Sequence, residues 1–423
     1  MEFRSGDVTL HGTVTAPAGP ARRRRPGIVL VHGSGPETRA KYRAEAQAMA
    51  QSGFVVLSYD KRTTGYSLTQ RSYAQLAEDA LAGVRLLHGR ADVDPLKVGL
   101  WGFSEGGWVV SLAASRSAQV SYVVLVGASG VSPARQSAWY LENRLRHEGV
   151  AGSLLRTVSV TGTRFVSGAG LLPEANYDPL PALRRLRQPV LAIWGDDHQS
   201  PPAESAAAIE KALRDSGNTD VTLRFFPHAD HKLHTSADGF QRGEQLVPGY
   251  VDTIASWVAG QGHRINDALP HQTRRSHALA PLPEYLGPAA QTAAFVLMVV
   301  SFAAHLLGEL VRRLRRRPCA AGVGWTSRWL AAAGLTTLLG FLGYLGFVTI
   351  TLTTGPMLGN RPIIWLVLQL LTAGTALAAV ATAVGWWRVR ASVSRRTNVQ
   401  LGLLGLASAL FLPWALFWGL ATP

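Results

Sequence analysis

Lys97-Val98-Gly99-Leu100-Trp101-Gly102-Phe103-Ser104-Glu105-Gly106-Gly107-Trp108 is the stretch that decides the reading of this chain. Residues 97–101 make a short apolar run of the kind buried on both faces of a parallel sheet. Gly102-Phe103-Ser104-Glu105-Gly106-Gly107 follows at once, and an apolar helix is expected from about Trp108. A serine wedged between a strand and a helix sits on a sharp turn, and glycines two residues to either side relieve the crowding there. Its hydroxyl is thereby held at a helix N-terminus. The context predicts that Ser104 is a nucleophile, because strand and helix both stand where that role requires them.

Working outward, further buried runs occur at residues 27–31, 54–59, 122–126, 189–194 and 221–226, separated by helical patterns. Residues 73–88 place Leu76, Ala80, Val84 and Leu87 on one helical face. Residues 8–14 alternate like an edge strand. Strands alternating with helices predict an α/β fold with a doubly wound, mostly parallel sheet. One longer segment, residues 131–186, interrupts the alternation after the strand that follows the nucleophile helix and is expected to cap the active site.

A serine hydroxyl is a weak nucleophile at neutral pH, so it needs a base, and the base needs an orienting acid. Two loops at strand ends offer them, on the edge where such sheets gather their catalytic groups. The first is Gly195-Asp196-Asp197-His198-Gln199-Ser200-Pro201, where Asp197 is the expected acid, on its spacing to Pro201, and Asp196 the alternative. The second is Pro227-His228-Ala229-Asp230-His231, where His231 is the expected base and His228 the alternative; His234 also lies nearby. The developing oxyanion requires two aimed donors. The backbone N–H groups of Glu105 and of Ser34, in His32-Gly33-Ser34-Gly35, are expected to supply them.

These residues together resemble the α/β-hydrolase superfamily, in its serine aminopeptidase-like, prolyl-oligopeptidase-like and dienelactone-hydrolase-like branch. The likeness covers about residues 1–260 and includes Asp60-Lys61-Arg62 with Gly65 and Ser67, and Val93-Asp94-Pro95 before the nucleophile strand. It implies a serine hydrolase with Ser104, Asp197 and His231 as its triad and Ser34 and Glu105 at the oxyanion. The acid loop is one residue shorter after its glycine than a common form of the family, which keeps Asp196 in play. The resemblance implies no metal and no organic cofactor.

The last third is different. After Glu309 there is no Asp or Glu, and apolar stretches at about 289–311, 327–351, 363–387 and 399–420 each approach the roughly 20 residues that cross a bilayer. The domains are therefore expected to be a hydrolase over 1–260, a Pro-containing linker over 261–287 and an all-α transmembrane bundle of about four helices over 288–423. Although the net charge is +15, eleven arginines lie beyond Glu309, nearly all in two clusters between apolar stretches, and nucleic acid is not an expected partner. The expected partners are a small-molecule or lipid-like acyl substrate and the bilayer. The single cysteine, Cys319, excludes an internal disulfide.

Two signals pull the topology in opposite directions. Arg clusters after the first and third apolar stretches predict cytoplasmic loops and an external hydrolase domain. Residues 1–15, with Glu2, Arg4 and Asp7, contain no apolar run of signal-peptide length, so no export signal is expected in them. The side is left open. An acyltransferase using the same triad, or a membrane binding protein with a vestigial hydrolase domain, are the alternatives to a membrane-anchored ester hydrolase.

Overall fold

The structure, a computed structural model, describes residues 1–19, 23–195, 201, 204–260, 266–270, 274–315 and 323–423. The chain divides into two compact units: Met1–Tyr140 with Gly170–Ala278, and Leu141–Ala169 with Leu279–Pro423.

The first unit is built on eight strands: β1 (Glu2–Ser5), β2 (Val8–Thr15), β3 (Arg25–Val31), β4 (Val55–Tyr59), β5 (Val93–Phe103), β6 (Tyr122–Val126), β7 (Val190–Gly195) and β8 (Val221–Phe226). They lie in the order β1-β2-β4-β3-β5-β6-β7-β8. β1 and β2 pair antiparallel, as do β2 and β4, and every other neighbouring pair is parallel. This is the mostly parallel sheet that the alternation of strands and helices implied, in the α/β-hydrolase form that the resemblance implied.

Successive side chains of each inner strand enter opposite layers. Val29, Leu57, Leu100 and Leu125 pack with helices Tyr73–His88, Glu105–Ala114 and Glu204–Asp215. Ile28, Val56, Trp101 and Val124 pack on the other face with helices Arg43–Gln51 and Tyr250–Val258. Both faces are covered, which is why the strands read as continuous apolar runs. Within helix Tyr73–His88, Leu76, Ala80, Val84 and Leu87 are all buried, and Ser72 Oγ caps its start by accepting the Gln75 N–H. The same helix carries the buried Asp79, which accepts from Arg62 Nε and Nη2, both at 2.7 Å.

Residues 261–287, expected as a linker, are tied to the first unit at several described positions. Asp267 lies along the outer edge of β8, its N–H donating to Leu223 O at 3.0 Å and its carboxylate accepting from Phe225 N–H at 2.8 Å and Arg224 Nε at 3.1 Å. An edge so covered is closed to further strand pairing.

In the second unit, helices Pro288–Leu314, Gly324–Thr351, Ile363–Val389 and Arg395–Phe417 are each long and apolar enough to cross a membrane. The first packs on the second and fourth, and the third on those same two. Phe302, Leu338, Phe341, Trp365 and Phe411 fill their interior, while Leu370, Leu377, Ile350 and Leu342 point outward and exposed. Apolar residues on the outer faces of helices this long suit lipid contact. Gly334 allows one close approach: a Cβ there would lie 2.6 Å from the Phe302 ring.

Residues 131–186, expected as a cap, are shared between the units: 131–140 and 170–186 lie in the first and 141–169 in the second. Ser153 Oγ accepts from Trp365 Nε1 at 3.0 Å and Gln369 Nε2 at 3.2 Å, and Thr157 Oγ1 donates to Trp418 O at 2.8 Å. Leu154, Leu155 and Val158 complete the same apolar interior.

Candidate active site

Ser104 stands between β5 and helix Glu105–Ala114 with φ 53° and ψ −114°, a backbone conformation that non-glycine residues rarely adopt. Its N–H donates to Val126 O at 2.9 Å, and its C=O accepts from Gly107 N–H at 2.9 Å, which hold the turn. The flanking glycines are required by space. A Cβ on Gly102 would lie 2.3 Å from Gly106 O, and one on Gly106 would lie 2.4 Å from Val31 O.

The 227–231 loop is brought to the same edge by the sheet register. Phe103 pairs with Val126, Val126 with Ile193, and Gly195 with Phe226. His231 lies against Gly127, where a Cβ would come within 2.7 Å of the imidazole, and its ring centroid is 4.9 Å from that of Phe103, the residue before Ser104. Gly127, at φ +56°, therefore clears space for the imidazole. Gly195 does the same for the loop backbone, since a Cβ there would meet Ala229 O at 2.3 Å.

A cavity of about 740 Å³ opens at this edge, and its lining includes Ser34, Ser104, Glu105 and His231. Phe103, Trp108, Tyr73, Tyr140 and Leu172 give it apolar and aromatic wall, and Gln136 and Ser137 from the 131–140 segment border it. His228 lines a different hollow, with Phe226, Pro227 and Ser236. His234 does reach the first cavity, but its Nδ1 lies 3.2 Å from Gly243 O and its Nε2 3.8 Å from the buried Glu45. Asp196, Asp197 and His198 lie outside the described residues.

The loop that carries Ser34 is pinned on both sides. Gly33 N–H donates to Tyr42 Oη and Gly35 N–H to Tyr66 Oη, each at 2.9 Å. Gly33 has no room for a side chain, because a Cβ would lie 2.9 Å from Phe103. His32 itself is buried edge-on to Tyr42 and Tyr59. Sequence reasoning missed the group beneath this loop. Lys61, Tyr66 and Arg71 all converge on the Glu105 carboxylate, which is fully enclosed. The signal available was the pair of adjacent cations, Lys61-Arg62, just past the C-terminal end of β4.

Burial first, and then the Lys61 charge, lowers the His32 imidazole to about 3, against an ordinary 6.5. Between those values the unfolded chain binds a proton that the folded one refuses, so stability rises with pH across that window and is lost on acidification. Taking the protein from pH 7 to pH 5 is expected to cost about 2 kcal/mol through His32 alone. His32→Gln should flatten that part of the stability profile, measured by thermal unfolding at several pH values; a slope unchanged by the substitution would show that His32 is not its source.

Comparison with known proteins gives the family of this chain. A family model for the prolyl oligopeptidase family matches residues 40–258, more than half of the chain. Esterase EstD of Thermotoga maritima is 26% identical over 294 residues, an alignment spanning 60% of this chain and 68% of the esterase. Among solved structures, a dienelactone hydrolase from Anabaena variabilis is similar at 20% identity and TM-score 0.37, over 62% of this chain and 94% of that one. An acylaminoacyl peptidase from Pyrococcus horikoshii is similar at 23% identity and TM-score 0.41, over 55% of this chain and 37% of the peptidase. The chain is thus a serine hydrolase, esterase or peptidase-like, and it belongs to the prolyl oligopeptidase family.

Proposed function

We propose that this protein is a membrane-anchored serine hydrolase that cleaves an ester through an acyl-enzyme on Ser104. The observation that carries the reading is the strained turn at Ser104 opening into the cavity that His231, Ser34 and Glu105 also line. The imidazole of His231 takes the hydroxyl proton as Ser104 Oγ attacks the substrate carbonyl, then gives it to the departing alcohol. A water molecule repeats the sequence on the acyl-enzyme and frees the acid. Asp197, with Asp196 as the alternative, holds the imidazole in the required tautomer; the pairing of Gly195 with Phe226 at the ends of their strands supports an acid from this loop. The N–H groups of Ser34 and Glu105 receive the oxyanion.

An ester is preferred over a thioester or amide on the likeness to an esterase. The four apolar helices tether the enzyme at a bilayer, which favours a lipid-like or other amphipathic acyl substrate. Treatment with a fluorophosphonate probe, followed by peptide mass spectrometry, is expected to place one adduct on Ser104. A folded, unlabelled Ser104 would overturn the reading, and a panel of short- and long-chain acyl esters then ranks the substrates.

A further inference from the structure

Two donors serve the proposed oxyanion site, and one buried cluster ties them together. The Glu105 carboxylate, on the residue whose own N–H is one donor, accepts from Lys61 Nζ at 3.0 Å and Tyr66 Oη at 2.9 Å on one oxygen and from Arg71 on the other. Lys61 Nζ also donates to Tyr66 Oη at 3.0 Å and to the carbonyl of Gly33. Tyr66 Oη in turn accepts the Gly35 N–H at 2.9 Å. Lys61 and Glu105 are 7% and 1% exposed, so these bonds are made out of water's reach and are stronger for it.

The carbonyl of Gly33 belongs to the same peptide unit as the N–H of Ser34. A trans peptide is planar, with C=O and N–H directed oppositely. A cation that grips the Gly33 carbonyl from beneath therefore aims the Ser34 N–H the other way. The other end of Gly33 is held as well: its N–H donates to Tyr42 Oη at 2.9 Å, and a Cβ on it would lie 2.9 Å from Phe103.

We propose that Lys61, held by Glu105 and Tyr66, is a positioning residue that fixes the Gly33–Ser34 peptide so that the Ser34 N–H faces the reacting carbonyl. Glu105 then joins the two halves of the oxyanion site: its backbone supplies one donor and its side chain, through Lys61 and Tyr66, orients the other. The inference rests on the hydrolase reading above and adds a role for side chains that do not touch substrate.

The test compares Lys61→Met, which keeps the chain length and removes the donor, with Tyr66→Phe, which removes one hydroxyl and keeps the ring. Each is assayed for ester turnover and for binding of a trifluoromethyl ketone, whose hemiketal oxyanion reports the donors directly. Loss of one oxyanion donor lowers kcat by roughly 10²-fold or more, so Lys61→Met is expected to lose that much in kcat with KM within about threefold, and to weaken ketone binding in proportion. Tyr66→Phe is expected to follow the same line with a smaller loss, and it carries the test if Lys61→Met does not fold. Lys61→Arg, which can still donate, should recover part of both quantities. Variants that fold, keep wild-type ketone binding and keep kcat would overturn the inference. Failure of the underlying reading is separate: the wild-type protein itself would then take no fluorophosphonate on Ser104.

Discussion

Ser104→Ala is expected to lower turnover of an activated ester by roughly 10⁶-fold, the scale on which removing a serine nucleophile acts in this class of chemistry. Among the described residues, the turn between β5 and helix Glu105–Ala114 presents this hydroxyl to the cavity at a helix N-terminus, and the Gly102 and Gly106 positions leave no room to reshape the turn. The substitution keeps the Cβ and changes neither the Val126 nor the Gly107 backbone bond. Its side chain makes no capping hydrogen bond to the helix, so thermal stability should stay within about 0.5 kcal/mol of the parent. Residual turnover from the oxyanion donors and binding alone should exceed the uncatalysed rate. Progress curves with a chromogenic ester check the first figure and thermal unfolding the second; retention of more than about a hundredth of the activity would move the nucleophile elsewhere.

The elements legible in the sequence are those whose burial leaves a local pattern. β6 and β8 and helix Tyr73–His88 fall where apolar runs and three- and four-residue spacing put them. β1 was not legible: it is four residues long, half exposed, and exists through its hairpin with β2 across Gly6. β5 runs from Val93, four residues earlier than the apolar run suggests, because its pairing with β3 shifts register between Arg25 and Gly27 and so absorbs Pro95. Residues 141–169 carry helical pattern but no mark of what they pack against. Only the fold reveals that Ser153 and Thr157 bond within the apolar helical unit.

For the site, motif and strand order bring Ser104, Glu105, Ser34 and His231 to one cavity, since each stands at the end of a recognisable strand. The adjacent cations Lys61-Arg62 mark the start of the group beneath the Ser34 loop, but its convergence with Tyr66 and Arg71 on Glu105 is not legible, for a different reason. They lie 44, 39 and 34 positions from Glu105, and nothing in a linear sequence states which cation a buried carboxylate will choose.

Asp79→Ala is expected to destabilise the first unit by about 3–5 kcal/mol, because it strips the counter-charge from a guanidinium that stays enclosed. Arg62 follows β4 and reaches Asp79 on helix Tyr73–His88 through two parallel bonds of 2.7 Å, the bidentate geometry that guanidinium and carboxylate share. Their side chains are 8% and 0% exposed, so water cannot replace the lost carboxylate. The bond to Asp79 raises the Arg62 guanidinium in the parent; with that bond gone the guanidinium still does not escape the cost by losing its proton, because arginine stays charged in proteins. For a unit of this size each kcal/mol moves the midpoint by about 2–4 °C, giving a fall of roughly 6–20 °C in a thermal melt. Asp79→Leu combined with Arg62→Met, which removes both charges and keeps apolar volume, should recover much of the loss. A single Asp79→Ala variant that melts within about 2 °C of the parent would mean that the pair is solvated in the folded protein and does not fasten β4 to the helix.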